Sequence, residues 1–325
     1  SMKIVLSVFI IVVLVCGGVF GYTYYQLGKM NNTKISKTDV DLGIKPVASQ
    51  KKEEASKITN IAFFGVDRRD KNEASRSDSI MILSIDEKHK KIKMSSVMRD
   101  TYVKIKDHGQ TKVNHAYAYG GPQLAIRTLN ENFNLDIRDF VTVDFFNTEK
   151  IIDSIGGVNI DVKQDEISLI NSHMIEVAKI EKKSIPPITK AGSQTLNGLQ
   201  AVAYSRIRHD AGGDFGRTER QRTVLSAMLT KIQSLGTTEF PSVVSKLLPY
   251  TETSMNSMDI MKLGTKVFTQ NIKTVDQERF PVDGYCNGKI MSGVWYLVTD
   301  MESTLNQLHK FIYEDIKPVP KAPLF

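Results

Sequence analysis

Acidic residues and arginines gather in three short segments: Gly65-Val66-Asp67-Arg68-Arg69, Arg76-Ser77-Asp78-Ser79 and Met98-Arg99-Asp100. Each lies at one end of an apolar run that reads as a strand. Sites in open α/β sheets form at strand ends, so adjacent strands would bring Asp67, Asp78 and Arg99 into one cluster. Two carboxylates beside guanidiniums suit a magnesium-bridged diphosphate. The hard cation takes one or two carboxylate oxygens together with phosphate oxygens, and arginine neutralises the remaining phosphate charge. The plainer reading, that strand ends carry charge because they meet water, weighs as much on the pattern alone.

A second segment runs Tyr204-Ser205-Arg206-Ile207-Arg208-His209-Asp210 and continues Asp214-Phe215-Gly216-Arg217-Thr218-Glu219-Arg220-Gln221-Arg222, with five arginines between positions 206 and 222. If residues 206–208 are extended, Arg206 and Arg208 share a face. Arg217 and Gln221, four apart, share a side of a helix that includes both. Thr218 with Gln221 also resembles a capping box, which would make Gln221 structural, and Asp210, Asp214 and Glu219 allow internal ion pairing. The turn Lys112-Val113-Asn114-His115, running into a helix at Gly121-Pro122, offers hydrogen bonds to an anion. His115 alone is weak evidence for a general base. The six histidines lack zinc spacing, and there is no H-E-x-x-H, P-loop or G-x-S-x-G.

The elements that must hold these residues are strands at 60–66, 79–85 and 92–97, the last two a hairpin, and strands 140–145 and 158–162 around a helix at 148–155 stopped by Gly156-Gly157. Helices are expected at 122–133, 196–204, 218–235, 258–272 and 298–313. This interleaving predicts one α/β domain over 58–315, an α-β-α sandwich on a mixed sheet, with an extended tail at 316–325.

Ahead of the domain, Ile4 to Tyr25 carries no charge. As a helix it would span roughly 33 Å, enough to cross a bilayer core of about 30 Å. Tyr22, Tyr24 and Tyr25 fall where an aromatic belt would lie, and no cleavage site for a signal peptide is evident. The expectation is an uncleaved single-pass anchor at 4–25, a cytoplasmic end at 1–3, a polar linker at 26–57 and an exported domain. Two cysteines, Cys16 and Cys286, exclude a disulfide scaffold. The net charge of +7, from 43 Lys+Arg against 36 Asp+Glu, allows nucleic acid. An exported domain argues instead for anionic lipid headgroups, phosphate-rich polymers or pyrophosphate.

Taken together, the segments from the anchor through Asn60–Asp67, Arg76–Met81, Ser96–Val103, Lys112–Tyr117, Gly156–Val158, Leu196–Ala201, Tyr204–Arg208 and Asp214–Gln221 resemble the LytR-CpsA-Psr family of bacterial envelope proteins. The resemblance implies a hydrophobic tunnel for a polyprenyl chain and a charged mouth for its pyrophosphate. It implies transfer of an anionic glycopolymer, such as a teichoic acid or capsule, from undecaprenyl pyrophosphate to peptidoglycan. By position Asp67 and Asp78 match the magnesium ligands, with Mn2+ as a substitute ion. Asp78 and Arg99 take the catalytic roles, and Arg76, Asn114, Arg206, Arg208, Asp214, Arg217 and Gln221 bind phosphate. Met98 departs from the proline usual in the family. Two other readings remain beside the transferase: a polyprenyl-pyrophosphate hydrolase, and a non-catalytic regulator that binds lipid phosphates.

Overall fold

The computed structural model describes residues 32–46, 57–68, 74–182, 184–208 and 213–322. The expected anchor at 4–25 lies outside them. Among the described residues no helix is long and apolar enough to cross a membrane.

β1 (Ile58–Val66), β2 (Ser77–Asp86) and β3 (Lys91–Val97) form an antiparallel meander. β-Branched and aromatic residues such as Ile61, Phe63 and Ile82 fill a pleat buried on both faces. β6 (Asp139–Asp144) joins β1 in parallel, β9 (Glu252–Thr253) flanks β6, and β10 (Thr274–Phe280) lies parallel to β3. The order β10-β3-β2-β1-β6-β9 is the expected mixed sheet. β1, β3, β6 and β10 all run one way, so their carboxyl ends define a single edge.

Three ribbons lie outside the sheet: β4 (Tyr102–Ile105) with β5 (Gly109–Lys112), β7 (Val158–Val162) with β8 (Gly192–Leu196), and β11 (Cys286–Met291) with β12 (Val294–Thr299). The helices are α1 (His115–Phe133), α2 (Phe145–Ser154), α3 (Glu166–Glu181), α4 (Gly198–Ser205), α5 (Gly213–Leu247), α6 (Ser257–Thr269) and α7 (Met301–Glu314).

On one face of the sheet α1 and α7 pack Ile126, Leu129, Phe133, Phe311 and Ile312 against Ala62, Phe64 and Ile82. On the other, Leu225 and Leu229 of α5 meet Met81 and Met94. α2, α3, α4 and the β7–β8 ribbon close a further core around Ile152, Leu196 and Leu199. These layers are the expected sandwich.

Several boundaries differ from expectation. α1 starts at His115, but the backbone leaves helical geometry at Gly120 and Gly121, so the helix expected from Pro122 is its second segment. Gly156 and Gly157, at φ +82° and +84°, stop α2 as anticipated. The helix expected at 298–313 begins at Met301, because Val298 and Thr299 close β12. α5 starts at Gly213, which leaves Thr218 inside the helix. Its hydroxyl donates to Asp214 O at 2.9 Å and caps nothing.

Part of the expected linker is docked. Leu42 is fully buried, Asn130 donates to its carbonyl at 2.9 Å, and Thr33 N donates to Thr253 O at 3.0 Å. Four apolar residues, Ile35, Val40, Leu42 and Ile44, among polar ones were too sparse a signal to read. The tail is held through Lys321, whose N–H reaches Asp283 O at 3.1 Å.

At the amino end of β3, fully buried Lys93 donates to Asp86 Oδ2 at 2.7 Å and to Ile312 O at 3.0 Å. Lys93→Ala leaves the buried Asp86 carboxylate with His89 as its remaining partner and is expected to destabilise the fold by about 3 kcal/mol, read as a lower urea midpoint.

Candidate functional site

The shared carboxyl edge gathers the charged segments. β3 ends at Val97, and the Met98 amide extends its ladder by donating to Phe280 O at 2.9 Å. A proline would forfeit that bond, so Met98 ties the Arg99 loop to β10. Arg99 Nη1 donates to Asp78 Oδ1, while its Nε lies 3.4 Å from Asp214 Oδ2 and 3.6 Å from Asp100 Oδ2. Arg217, 3% exposed, completes the chain through Asp214 Oδ1 at 3.0 Å. Lys112 Nζ holds Asp100 Oδ1 at 2.7 Å. Burial opposes the charge on Arg99, but Asp214, Asp78 and Asp100 outweigh it and raise its affinity for its proton. The result is a partly buried lattice of alternating charge, the arrangement that binds and releases a polyanion by exchanging partners.

Of the candidates, Asp78, Arg99, Asp214 and Arg217 are thus brought into direct contact. Asn114 is buried and donates its N–H to Arg99 O at 3.2 Å, so it braces the Arg99 loop through its backbone. Among the described residues its Oδ1 has no partner. Arg206 and Arg208 are both exposed on either side of fully buried Ile207, although Arg206 is not extended but closes the preceding helix in αR geometry, and it lies 5.3 Å from the Phe145 ring centre. Arg76 is exposed.

Gln221 lines a mostly apolar cavity of ≈ 60 Å³ between α5 and the sheet, together with Phe63, Met81, Phe145, Leu225 and Met228. Gly65 is part of this wall. A Cβ there would come within 2.9 Å of Ser79 Cβ, so the close approach of β1 to β2 needs glycine.

Asp67 is exposed just past β1, and the β1–β2 register slips at Gly65/Val66 so that Val66 faces Ser77. Asp67 and Asp78 therefore flank one point of the edge. Among the described residues no group of three or more His, Cys, Asp or Glu is arranged to hold a metal. A pair of carboxylates fits a hard divalent cation that draws its remaining ligands from phosphate and water.

Sequence reasoning passed over Asp100 and Lys112 as site residues, although both lie in segments it singled out. It also passed over Arg68, which reaches Glu252 across the sheet. Their signal was adjacency to Arg99 and Asp67. The partner Glu252 lies too far along the chain to be read.

The LytR_cpsA_psr family profile matches residues 19–311, and the chain belongs to that family. The Regulatory protein MsrR of Staphylococcus aureus (strain COL) is 34% identical over 226 residues, 69% of this chain and 64% of that protein. The match thus spans just under two thirds of that relative's length. The Polyisoprenyl-teichoic acid--peptidoglycan teichoic acid transferase TagU of Oceanobacillus iheyensis is 29% identical over 305 residues, 90% of this chain and 87% of that one. The structure of LytR-CPS2A-psr family protein YwtF (TagT) with bound octaprenyl pyrophosphate lipid superposes with a TM-score of 0.62 at 25% identity, covering 88% of this chain and 98% of that one.

His115 stands at this edge with Nδ1 2.9 Å from Thr111 Oγ1. Burial, then Arg76 and Lys112, hold its pKa below the ordinary 6.5. The unfolded chain takes up that proton first, so stability falls as pH drops through 6.5. His115→Gln is expected to flatten that part of the stability–pH curve, and an NMR titration of the wild-type ring to give a midpoint below 6.5. Arg99→Ala leaves Asp78, Asp100 and Asp214 without their shared cation and is expected to lower stability by about 1–3 kcal/mol at neutral pH, read as a lower urea midpoint.

Proposed function

We propose that this chain transfers an anionic glycopolymer from a polyprenyl-pyrophosphate carrier to peptidoglycan at the outer face of the membrane. The observation that carries this is the meeting of an arginine–carboxylate lattice and an apolar cavity at one sheet edge, with Gln221 lining the cavity one helical turn from Arg217. A diphosphate on a long apolar chain needs those two environments side by side. The names of TagU and of the lipid-bound TagT structure point the same way.

In this reading Arg99 and Arg217 exchange Asp78 and Asp214 for diphosphate oxygens, and Arg206 and Arg208 approach from the exposed side. The acceptor hydroxyl attacks the phosphorus next to the sugar. A new P–O bond forms, the bond to the lipid-side phosphate breaks, and the guanidiniums take up the charge on the departing lipid phosphate. Asp67 and Asp78 would hold magnesium, or manganese in its place, which supplies further charge neutralisation when bound. Asp78 Oδ1 is engaged by Arg99, so Oδ2 remains for the metal or for the hydroxyl proton. The cavity of ≈ 60 Å³ is far smaller than a polyprenyl chain, and lipid entry therefore requires α5 to draw away from the sheet. The expected anchor at 4–25 supports a position in the cell membrane with the domain outside, where such a carrier would meet peptidoglycan.

The deciding experiment incubates the full chain in detergent with a polyprenyl-pyrophosphoryl sugar, a peptidoglycan oligomer and magnesium, read by mass spectrometry. A sugar-phosphate adduct on the oligomer, reduced at least about 100-fold by Arg99→Ala, is the expected outcome. An equal yield from Arg99→Ala overturns the assignment. Free sugar phosphate without adduct indicates the hydrolase, and bound lipid without product the regulator. Met228→Trp, which fills the cavity, is expected to weaken octaprenyl-pyrophosphate binding at least tenfold in a fluorescence titration, with the circular dichroism spectrum unchanged.

A further inference from the structure

On the other side of α5 from the apolar cavity, buried polar groups converge with bonds unmade. Arg222 is 8% exposed, and among the described residues neither its Nε nor its Nη1 has an acceptor. Two turns earlier on the same stripe of α5, the Phe215 ring lies 4.1 Å from the Arg279 guanidinium. Arg279 pairs through Nη2 with Asp283, which leaves Nη1 buried and unbonded. Sheet register sets Arg279 beside Ser96 and, one pleat back on the same face, Gln277 beside Met94. Met94 packs with Leu225, so this is the face that α5 covers. Ser96 Oγ and Gln277 Oε1 also lack partners among the described residues.

Donors predominate in this set, and its two guanidiniums are near enough to repel. Burial, only partly offset by Glu219, brings Arg222 down to about 10, and Arg279 pushes the same way. The neighbouring acids do not bond these atoms: Glu219 and Asp283 are exposed, and Glu278, off the register of Gln277 and Arg279, acts on Arg222 only through its charge. Water would satisfy the N–H edges but add no charge beside Arg222, whose acids Glu219 and Glu278 offset its burial only in part. An oxyanion satisfies both. Phe215 directly follows Asp214, so these groups adjoin the Arg99 lattice.

We propose that Arg222 and Arg279, assisted by Ser96, form a second oxyanion subsite that takes a phosphate group beyond the diphosphate held at Arg99. Its source is either a phosphodiester of the transferred polymer, which rests on the functional reading above, or free phosphate, which does not.

The full chain in detergent is first saturated with octaprenyl pyrophosphate, then titrated calorimetrically with inorganic phosphate. Uptake of one further equivalent, weakened at least tenfold in both Arg222→Gln and Arg279→Gln, is expected. No uptake, or uptake unchanged in both variants, overturns the subsite. Arg222→Met controls for a purely structural arginine: a higher melting temperature with phosphate uptake intact also overturns it. Should the lipid not load, the functional reading fails by itself, and the titration on Arg99→Ala tests the subsite alone. The transfer assay then assigns the source. A tenfold lower kcat/KM of Arg222→Gln confined to donors that carry a phosphodiester identifies the polymer, and an equal effect on neutral donors identifies free phosphate.

Discussion

Arg99 has to balance three carboxylates at once, and the edge of the sheet is built around that requirement. Asp78 comes from the start of β2, Asp100 from the loop after β3, and Asp214 from the first turn of α5. Such a cluster is stable only if the strands end together and the helix begins above them. Four strands pointing one way deliver the first condition, and the early start of α5 the second. The Met98–Phe280 hydrogen bond then fixes the loop that carries Arg99. Partly buried ion pairs contribute little net stability once desolvation is counted. A lattice of them at a strand edge is better explained by what it can exchange than by what it holds together.

α5 divides this edge into unlike environments. Toward β1 and β6 its Val224, Leu225 and Met228 line an apolar cavity, whereas toward β3 and β10 its Phe215–Arg222 stripe meets Arg279 and polar side chains. Arg217 and Gln221 lie between them, on the side that faces Arg99 and the cavity. One helix therefore presents an apolar surface, a surface paired into the Arg99 lattice and a cationic surface to a single strand edge. On the proposed function, a substrate apolar at one end and anionic at the other would lie along this helix.

The legible parts of the fold were those in which local pattern and tertiary role agree. β1 to β3 carry unbroken apolar runs, and the charges that end them meet at one edge because strand ends converge. Residues 32–46 were read as linker because Ile35, Val40, Leu42 and Ile44 are few among polar residues, and the short alternation over 40–44 does not distinguish a docked segment from a free one. Their docking depends on Asn130 and Thr253, about ninety and more than two hundred residues away. β10 was missed for a related reason. Thr274–Phe280 alternates polar side chains on an edge strand, so its sequence resembles a loop until β3 is placed beside it. Arg279 was invisible with it, and Arg222, although inside a segment singled out for its arginines, had no visible partner.

The docked segment also changes how the domain meets a membrane. With 26–57 free, the linker would let the site range widely. Instead Thr33 is fixed to Thr253 and to Glu252, and Glu252 pairs with Arg68 directly after Asp67. The chain thus leaves the domain at the same edge that carries the arginine lattice. If the anchor occupies 4–25, six residues, 26–31, separate it from the fixed chain, a reach of about 20 Å when fully extended. A tether of that length would keep the charged edge within about 20 Å of the end of such an anchor. It would raise the effective concentration of a membrane-held substrate above what a long flexible stalk gives. The apolar cavity opens beside the same edge, so a lipid-linked diphosphate would meet the arginines without leaving the membrane surface by more than its own headgroup.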